Sequence, residues 1–193
     1  MPRQPVNLAA SVHQRLLNVS LARNDEFNWL LTLFAIELLL YRLAQSPYAG
    51  RFVLKGALLF LVWAIPVHRP TRDLDLLGFG NNTAAALTQL FQELCRLPVV
   101  DNGLVFDPQS IQVSEIRAEQ EYIGQRIELV ARLGRARIPI QVDIGFGDAI
   151  SPPPQEAAYP TLLAFPAPYL RMYAKETAIA EKLHAMVSLD LSN

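Results

Sequence analysis

Apolar residues recur at helical spacing over 7–23, where Leu8, Val12, Leu16 and Val19 form a stripe that leaves Arg15 and Arg23 outside it. Asn24-Asp25 interrupts the pattern and offers a cap for a second helix over 26–45, which Ser46-Pro47 and Gly50 end. Phe52-Val53-Leu54 reads as a short strand, Gly56 as a turn and 57–64 as a helix. A strand over 74–79 stops at Gly78, Gly80, Asn81 and Asn82, and another amphipathic helix covers 83–96. The middle of the chain then switches to period two, at 111–116, 126–133 and 138–144, with Gly134-Arg135-Ala136-Arg137 as a hairpin connection. Beyond Asp148, a turn residue, prolines accumulate at 152, 153, 154, 160, 166 and 168, a composition suited to a semi-rigid linker or wrapping loop. The last periodic segment, 174–189, predicts a helix with Ile179, Leu183, Met186 and Val187 on one face. This order predicts an α+β fold, a small mixed sheet with flanking helices packed mainly on one side. The expected organisation is N-terminal helices over 1–50, a sheet core over 51–150, a Pro-rich connection over 151–173 and the start of a helical region over 174–193.

Composition changes this picture little. The chain has 193 residues, enough to bury a core as one domain or one domain plus a fragment. A net charge of −1 removes any whole-chain basic footprint, so nucleic-acid binding would need a local patch. The single cysteine, Cys95, excludes an intramolecular disulfide and a cysteine zinc cluster. The most apolar stretch, 27–43, is interrupted by Asn28, Glu37 and Arg42; it reads as a buried helix, because a membrane span needs about 18 nearly uncharged residues. Met1-Pro2-Arg3-Gln4-Pro5 lacks the apolar core of a signal peptide, and a cytoplasmic location without membrane partners is expected.

Candidate chemistry centres on Arg69-Pro70-Thr71-Arg72-Asp73-Leu74-Asp75-Leu76. On a strand, Asp73 and Asp75 share one face and the leucines the other. Two adjacent carboxylates repel one another unless a cation or basic partner intervenes. Mg²⁺ held by one or two carboxylates, with waters and substrate phosphates, satisfies that need. So does a salt-bridged strand end with Arg69 or Arg72 as partner, and on these residues alone the two readings carry equal weight. Upstream, Lys55-Gly56-Ala57 places a glycine between strand and helix, where a side chain would block a triphosphate and the following N–H groups could bind it. The glycine-to-lysine spacing of a P-loop is absent. Asp143 points the same way as Gln141 from the run Ile138–Ile144, and a strand beside Asp73 would bring it in as a third carboxylate. Three carboxylates suit a two-metal phosphoryl-type transfer, with Asp143 serving the incoming hydroxyl. Lys182 borders the apolar face of the last helix, from which it could neutralise phosphate. His13, His68 and His184 lack metal-ligand spacing, and no serine sits in a nucleophile elbow.

Lys55-Gly56-Ala57, the Asp73-Leu74-Asp75 strand, Asp143 and Glu181-Lys182-Leu183-His184-Ala185, in that order, resemble the AbiEii/AbiGii toxin family of nucleotidyltransferases, of the DNA polymerase β-type superfamily. The resemblance runs from about Phe52 to the C-terminus. It implies a minimal nucleotidyltransferase sheet, Asp73, Asp75 and Asp143 as catalytic and Mg²⁺-binding residues, and a nucleotide held by Lys55, Gly56, Ala57, Arg72 and Lys182. It further implies transfer from an NTP to an acceptor hydroxyl, tRNA first among acceptors, with release of pyrophosphate, and a cognate antitoxin as partner. Ala57 departs from the serine common at its position, which removes a hydroxyl and leaves backbone donors. Family members usually continue into a larger helical region, so the chain is expected to be truncated. A degenerate fold acting as a binding module, and a protein-modifying nucleotidyltransferase, are the alternative readings.

Overall fold

The computed structural model of the chain describes residues 7–65, 71–117, 123–147 and 149–190. His68, Arg69, Asp148 and the side chains of His184 and Met186 lie outside what is described. Among the described residues five α-helices and seven strands follow the order α1 (Leu8–Arg23), α2 (Phe27–Ala44), β1 (Phe52–Lys55), α3 (Leu59–Val62), β2 (Asp73–Gly78), α4 (Ala84–Arg96), β3 (Leu104–Arg117), β4 (Ile123–Leu133), β5 (Ala136–Phe146), β6 (Gln155–Ala158), β7 (Tyr169–Met172) and α5 (Lys175–Asp190). The strands form one mixed sheet in the order β3-β4-β5-β2-β1-β7-β6, parallel at β2–β5 and β1–β7 and antiparallel elsewhere.

Local chemistry explains most boundaries. Asn7 accepts from the Ala10 N–H at 3.0 Å and opens α1. Asn24 closes α1 in the left-handed region (φ 56°), which asparagine tolerates, so the cap of α2 falls to Glu26 instead. The Glu26 carboxylate accepts from the N–H groups of Asn28 (3.0 Å) and Trp29 (3.2 Å). Arg42, polar within an apolar run, donates to the carbonyls of Leu94, Cys95 and Leu97 at the end of α4. Among the described residues α2 is long and apolar enough to cross a membrane, yet most of it is buried within the fold. It packs on β5 and β7, while α1 packs on β4 and α4 on β3. The leucines and isoleucines of β2, β4 and β5 fill this side: Leu74, Leu76, Ile127, Leu129, Ile140 and Val142 are all at most 2% exposed.

Three elements differ from the sequence reading. The helix expected over 57–64 is a single turn, Leu59–Val62. Strand β3 starts seven residues earlier than 111, because its register shifts between Asp107 and Gln112 and the shift hides the alternation. There Asp107 Oδ1 accepts from the Gln109 N–H, and Ser110 Oγ donates to the Asp107 carbonyl and accepts from the Val130 N–H. The Pro-rich segment carries β6 and β7, which extend the sheet rather than link it. Its prolines fall between the strands, and β6 lies at the sheet edge. The loop joining β6 to β7 is tied to α2, since Glu37 Oε2 accepts from the Leu162 N–H at 2.8 Å.

Candidate active site

Three neighbouring strands bring the predicted residues onto one face. Lys55 on β1 lies opposite Asp75 on β2, and Asp75 lies opposite Asp143 on β5. Asp73, two residues earlier on the same face, pairs with Gln141. Asp73 is exposed while Asp75 and Asp143 are half-buried. The shared face follows from period-two alternation, and the parallel β2–β5 pairing supplies the adjacency.

Gly56 also makes room for Asp75. Its φ of +72° suits glycine, and a Cβ there would lie 2.1 Å from Asp75 Oδ2 and 2.7 Å from Asp75 Cβ and Cγ. The space kept clear is thus filled by the Asp75 carboxylate. The helix that follows has one turn, and the Leu59 and Phe60 N–H groups already donate to Gly56 and Ala57 carbonyls. Any phosphate cradle at this turn is limited to the backbone of Gly56, Ala57 and Leu58.

Burial, the neighbouring Asp143 and Asp73, and Glu181 push the Asp75 carboxyl up to about 6, against the opposing pull of Lys55. Asp143 has a basic partner that sequence reasoning missed. Arg126 Nε donates to its Oδ1 and Nη2 to its Oδ2, both at 2.8 Å, and Gln141 Nε2 donates to Oδ2 at 3.2 Å. This forked pair keeps Arg126 charged and takes one acceptor position on each oxygen of Asp143, with Gln141 taking a second on Oδ2. Among the described residues, no three acidic, histidine or cysteine side chains are grouped closely enough to hold a metal ion. Asp143, beside Asp75 across β2 and β5, is paired with Arg126. The Asp73/Asp75 pair alone fits the one or two carboxylates with which Mg²⁺ is usually held. The mutual repulsion that raises Asp75 is what a cation would relieve.

The flanking cations are arranged otherwise than expected. Lys55 Nζ lies 3.3 Å from Glu181 Oε1, which also accepts from the Tyr173 hydroxyl at 2.9 Å. Glu181, not Lys182, is therefore the residue that α5 turns toward the carboxylates; Lys182 is exposed. Adjacent helical residues diverge by about 100°, and the helix packs through Ala174, Thr177 and Ala178. That rotation leaves the predicted packing face outside: Ile179, Leu183 and Val187 are 58%, 57% and 59% exposed. Arg72 pairs with Glu26 at 2.9 Å instead of with the carboxylates. Arg126 was legible in principle: equal counting back from the Gly134-Arg135 turn places it opposite Asp143. Glu181 stands in the sequence only as part of the Glu181-Lys182-Leu183-His184-Ala185 stretch, where the site role was given to its neighbour Lys182.

The chain is similar to one described protein family and to solved structures of low identity. The family described as nucleotidyl transferase AbiEii toxin, type IV TA system, matches residues 38–193. No curated protein matches the chain. Among solved structures, JHP933 from Helicobacter pylori shares 16% identity with a TM-score of 0.46, covering 76% of this chain and 52% of its own. A second H. pylori structure, named as a candidate nucleotidyltransferase, shares 17% identity with a TM-score of 0.44, covering 76% and 53%. The chain thus spans about half the length of these two structures. The match over residues 38–193 takes in every site residue described above, and the chain belongs to the AbiEii nucleotidyl transferase toxin family.

Proposed function

We propose that the chain carries a Mg²⁺-dependent nucleotidyltransferase site, which transfers a nucleotidyl group from an NTP to an acceptor hydroxyl, tRNA first among acceptors. The observation that carries this reading is the seating of Asp75 on the bare Cα of Gly56, directly beside Asp143. Asp73 and Asp75 would hold the metal, which when bound supplies charge neutralisation for the triphosphate and the leaving group. Lys55, with the Gly56-Ala57 backbone, lies on the β1 side of Asp75 and serves the phosphates; Arg72 and Lys182 are outer candidates for the same role. Asp143, on the opposite side, accepts a hydrogen bond from the acceptor hydroxyl and orients it. The hydroxyl oxygen forms a bond to the α-phosphorus as the bond to the bridging oxygen breaks. Pyrophosphate departs, and the hydroxyl proton passes to Asp143 or to solvent. The setting would be a toxin with a cognate antitoxin in the cytoplasm.

The exposed stripe Ile179, Leu183 and Val187 favours a second reading, a nucleotidyltransferase fold kept as a partner-binding module. A protein-modifying enzyme would share the same site and differ only in acceptor. The test is incubation with each labelled NTP, Mg²⁺ and total RNA or lysate, beside an Asp75→Ala control. Labelled RNA with wild type and at least a hundredfold less with the control (roughly the loss when a transition-state charge stabiliser is removed) is expected. Equal labelling in every combination overturns the catalytic reading.

A further inference from the structure

The half of the sheet beyond Asp143 has an open face. Gln112, Ser114, Glu128, Arg132, Arg137 and Pro139, all on the side that carries Asp73 and Asp143, are exposed, and α1, α2 and α4 pack on the other side. Arg132 and Arg137 lie directly opposite each other on β4 and β5. Like charges at such a cross-strand position destabilise a hairpin unless an anion joins them. Neither has a hydrogen-bond or ion-pair partner among the described residues. Arg135 in the intervening turn adds a third exposed cation.

From Arg137 to Asp73 runs an open cavity of ≈ 570 Å³, with Asn28, Leu31 and Thr32 of α2 forming part of its wall. It forms because β2 first pairs with β5 at Asp73–Gln141, so the start of β5 is paired only with β4 among the described residues. Arg72 and Arg137 supply its cations, Asn28, Gln112 and Gln141 its amides, and Asp73 joins it to the proposed site. The volume is within the range of small-molecule pockets and suits a nucleoside. Arg137 stands six residues along β5 from Asp143, a span of roughly 20 Å, or a few nucleotides of single strand.

We propose that the Arg132–Arg137 pair and the cavity beside Asp73 together bind the end of a single-stranded RNA acceptor, with a backbone phosphate between the guanidinium groups and the terminal nucleotide in the cavity. This rests on the proposed transfer and names its acceptor side. Two forked cations match phosphodiester oxygens, which Arg engages bidentately. Glu128, which also lines the cavity, repels phosphate and is matched instead to ribose hydroxyl or base amino donors. The cavity lies on the Asp143 side of Asp75, away from Lys55, and so leaves the triphosphate side free.

The test measures binding without NTP, so that it stands apart from catalysis. A labelled single-stranded RNA of about six nucleotides with a free 3′ hydroxyl is titrated against wild type, the Arg132→Gln/Arg137→Gln double variant and Arg23→Gln, an exposed arginine on α1. The double variant is expected to bind about tenfold more weakly, with a salt slope shallower by about 1.4 (roughly 0.7 for each lost phosphate contact). Arg23→Gln should match wild type. The melting temperature of the double variant should not fall, since the change removes a like-charge pair. In the transfer assay the acceptor KM should rise in the double variant while the NTP KM stays put. Unchanged affinity and slope overturn the proposal, as does displacement of the RNA by an equally charged acidic peptide. Arginine-dependent RNA binding with no transfer by wild type upholds this site while sinking the nucleotidyltransferase reading.

Discussion

Gly56→Ala is expected to abolish nucleotidyl transfer and to destabilise the fold by a few kcal/mol. Two costs combine. An alanine held at φ +72° suffers the left-handed penalty of about 1–2 kcal/mol. Its Cβ would also overlap Asp75, at 2.1 Å from Oδ2 and 2.7 Å from Cβ. Rotating the carboxylate relieves the first contact but not the second, since Asp75 Cβ is fixed to β2. Either β1 and β2 separate locally, at about 1–3 kcal/mol for such overpacking, or the turn rearranges. Both outcomes move Asp75 away from its place beside Asp143. Gly56→Asn separates the causes, because asparagine tolerates the left-handed backbone yet keeps the Cβ. If steric overlap dominates, Asn should be nearly as damaging as Ala in thermal melts and in transfer assays. An alanine variant with wild-type melting temperature and wild-type transfer would remove Gly56 as the support of Asp75.

The contrast between Asp143 and Lys182 shows what the sequence could reveal. Asp73, Asp75 and Asp143 were legible because strand alternation fixes which face a residue takes, and the neighbouring leucines and isoleucines fix which face is buried. Gly56 was legible as a turn, whereas its contact with Asp75 depends on strand pairing that no local pattern carries. Lys182 was assigned inward by assuming that the apolar stripe of α5 is its packing face. Packing through Ala174, Thr177 and Ala178 turns the helix so that Glu181 meets Lys55 instead. Small residues carry a weak hydrophobic signal yet allow close approach, so the stripe of large residues misled. The two strands of the Pro-rich segment were hidden for a related reason. Each is four residues long, and composition averaged over 151–173 reports the intervening prolines rather than the strands.

The second large effect lies away from the site. Glu37 is 1% exposed on α2, with Oε2 bonded to the Leu162 N–H; among the described residues Oε1 and the neighbouring Tyr159 hydroxyl have no hydrogen-bond partner. Burial pushes the Glu37 carboxyl from 4.5 up to about 7, only partly offset by the Leu162 N–H. Because the folded-state value is raised, the fold binds this proton more tightly than the unfolded chain does. The stabilisation is complete below about 4.5 and is lost as pH rises through about 7. At about 1.4 kcal/mol per unit, ionised Glu37 costs the fold on the order of 3 kcal/mol. Wild type should therefore melt at a lower temperature at pH 8 than at pH 5.5. Glu37→Gln keeps an acceptor for the Leu162 N–H, adds a donor near Tyr159 and cannot ionise. It should match wild type near pH 5 and exceed it by about 2–3 kcal/mol at pH 8. Asp75, raised to about 6 by burial and its acidic neighbours, contributes a slope of the same sign that the variant retains. Denaturant melts of both proteins across pH 5–8 decide the matter. Parallel curves would mean that Glu37 is already ionised and solvated in the fold, and the tie between α2 and the β6–β7 loop would then be an ordinary charged hydrogen bond.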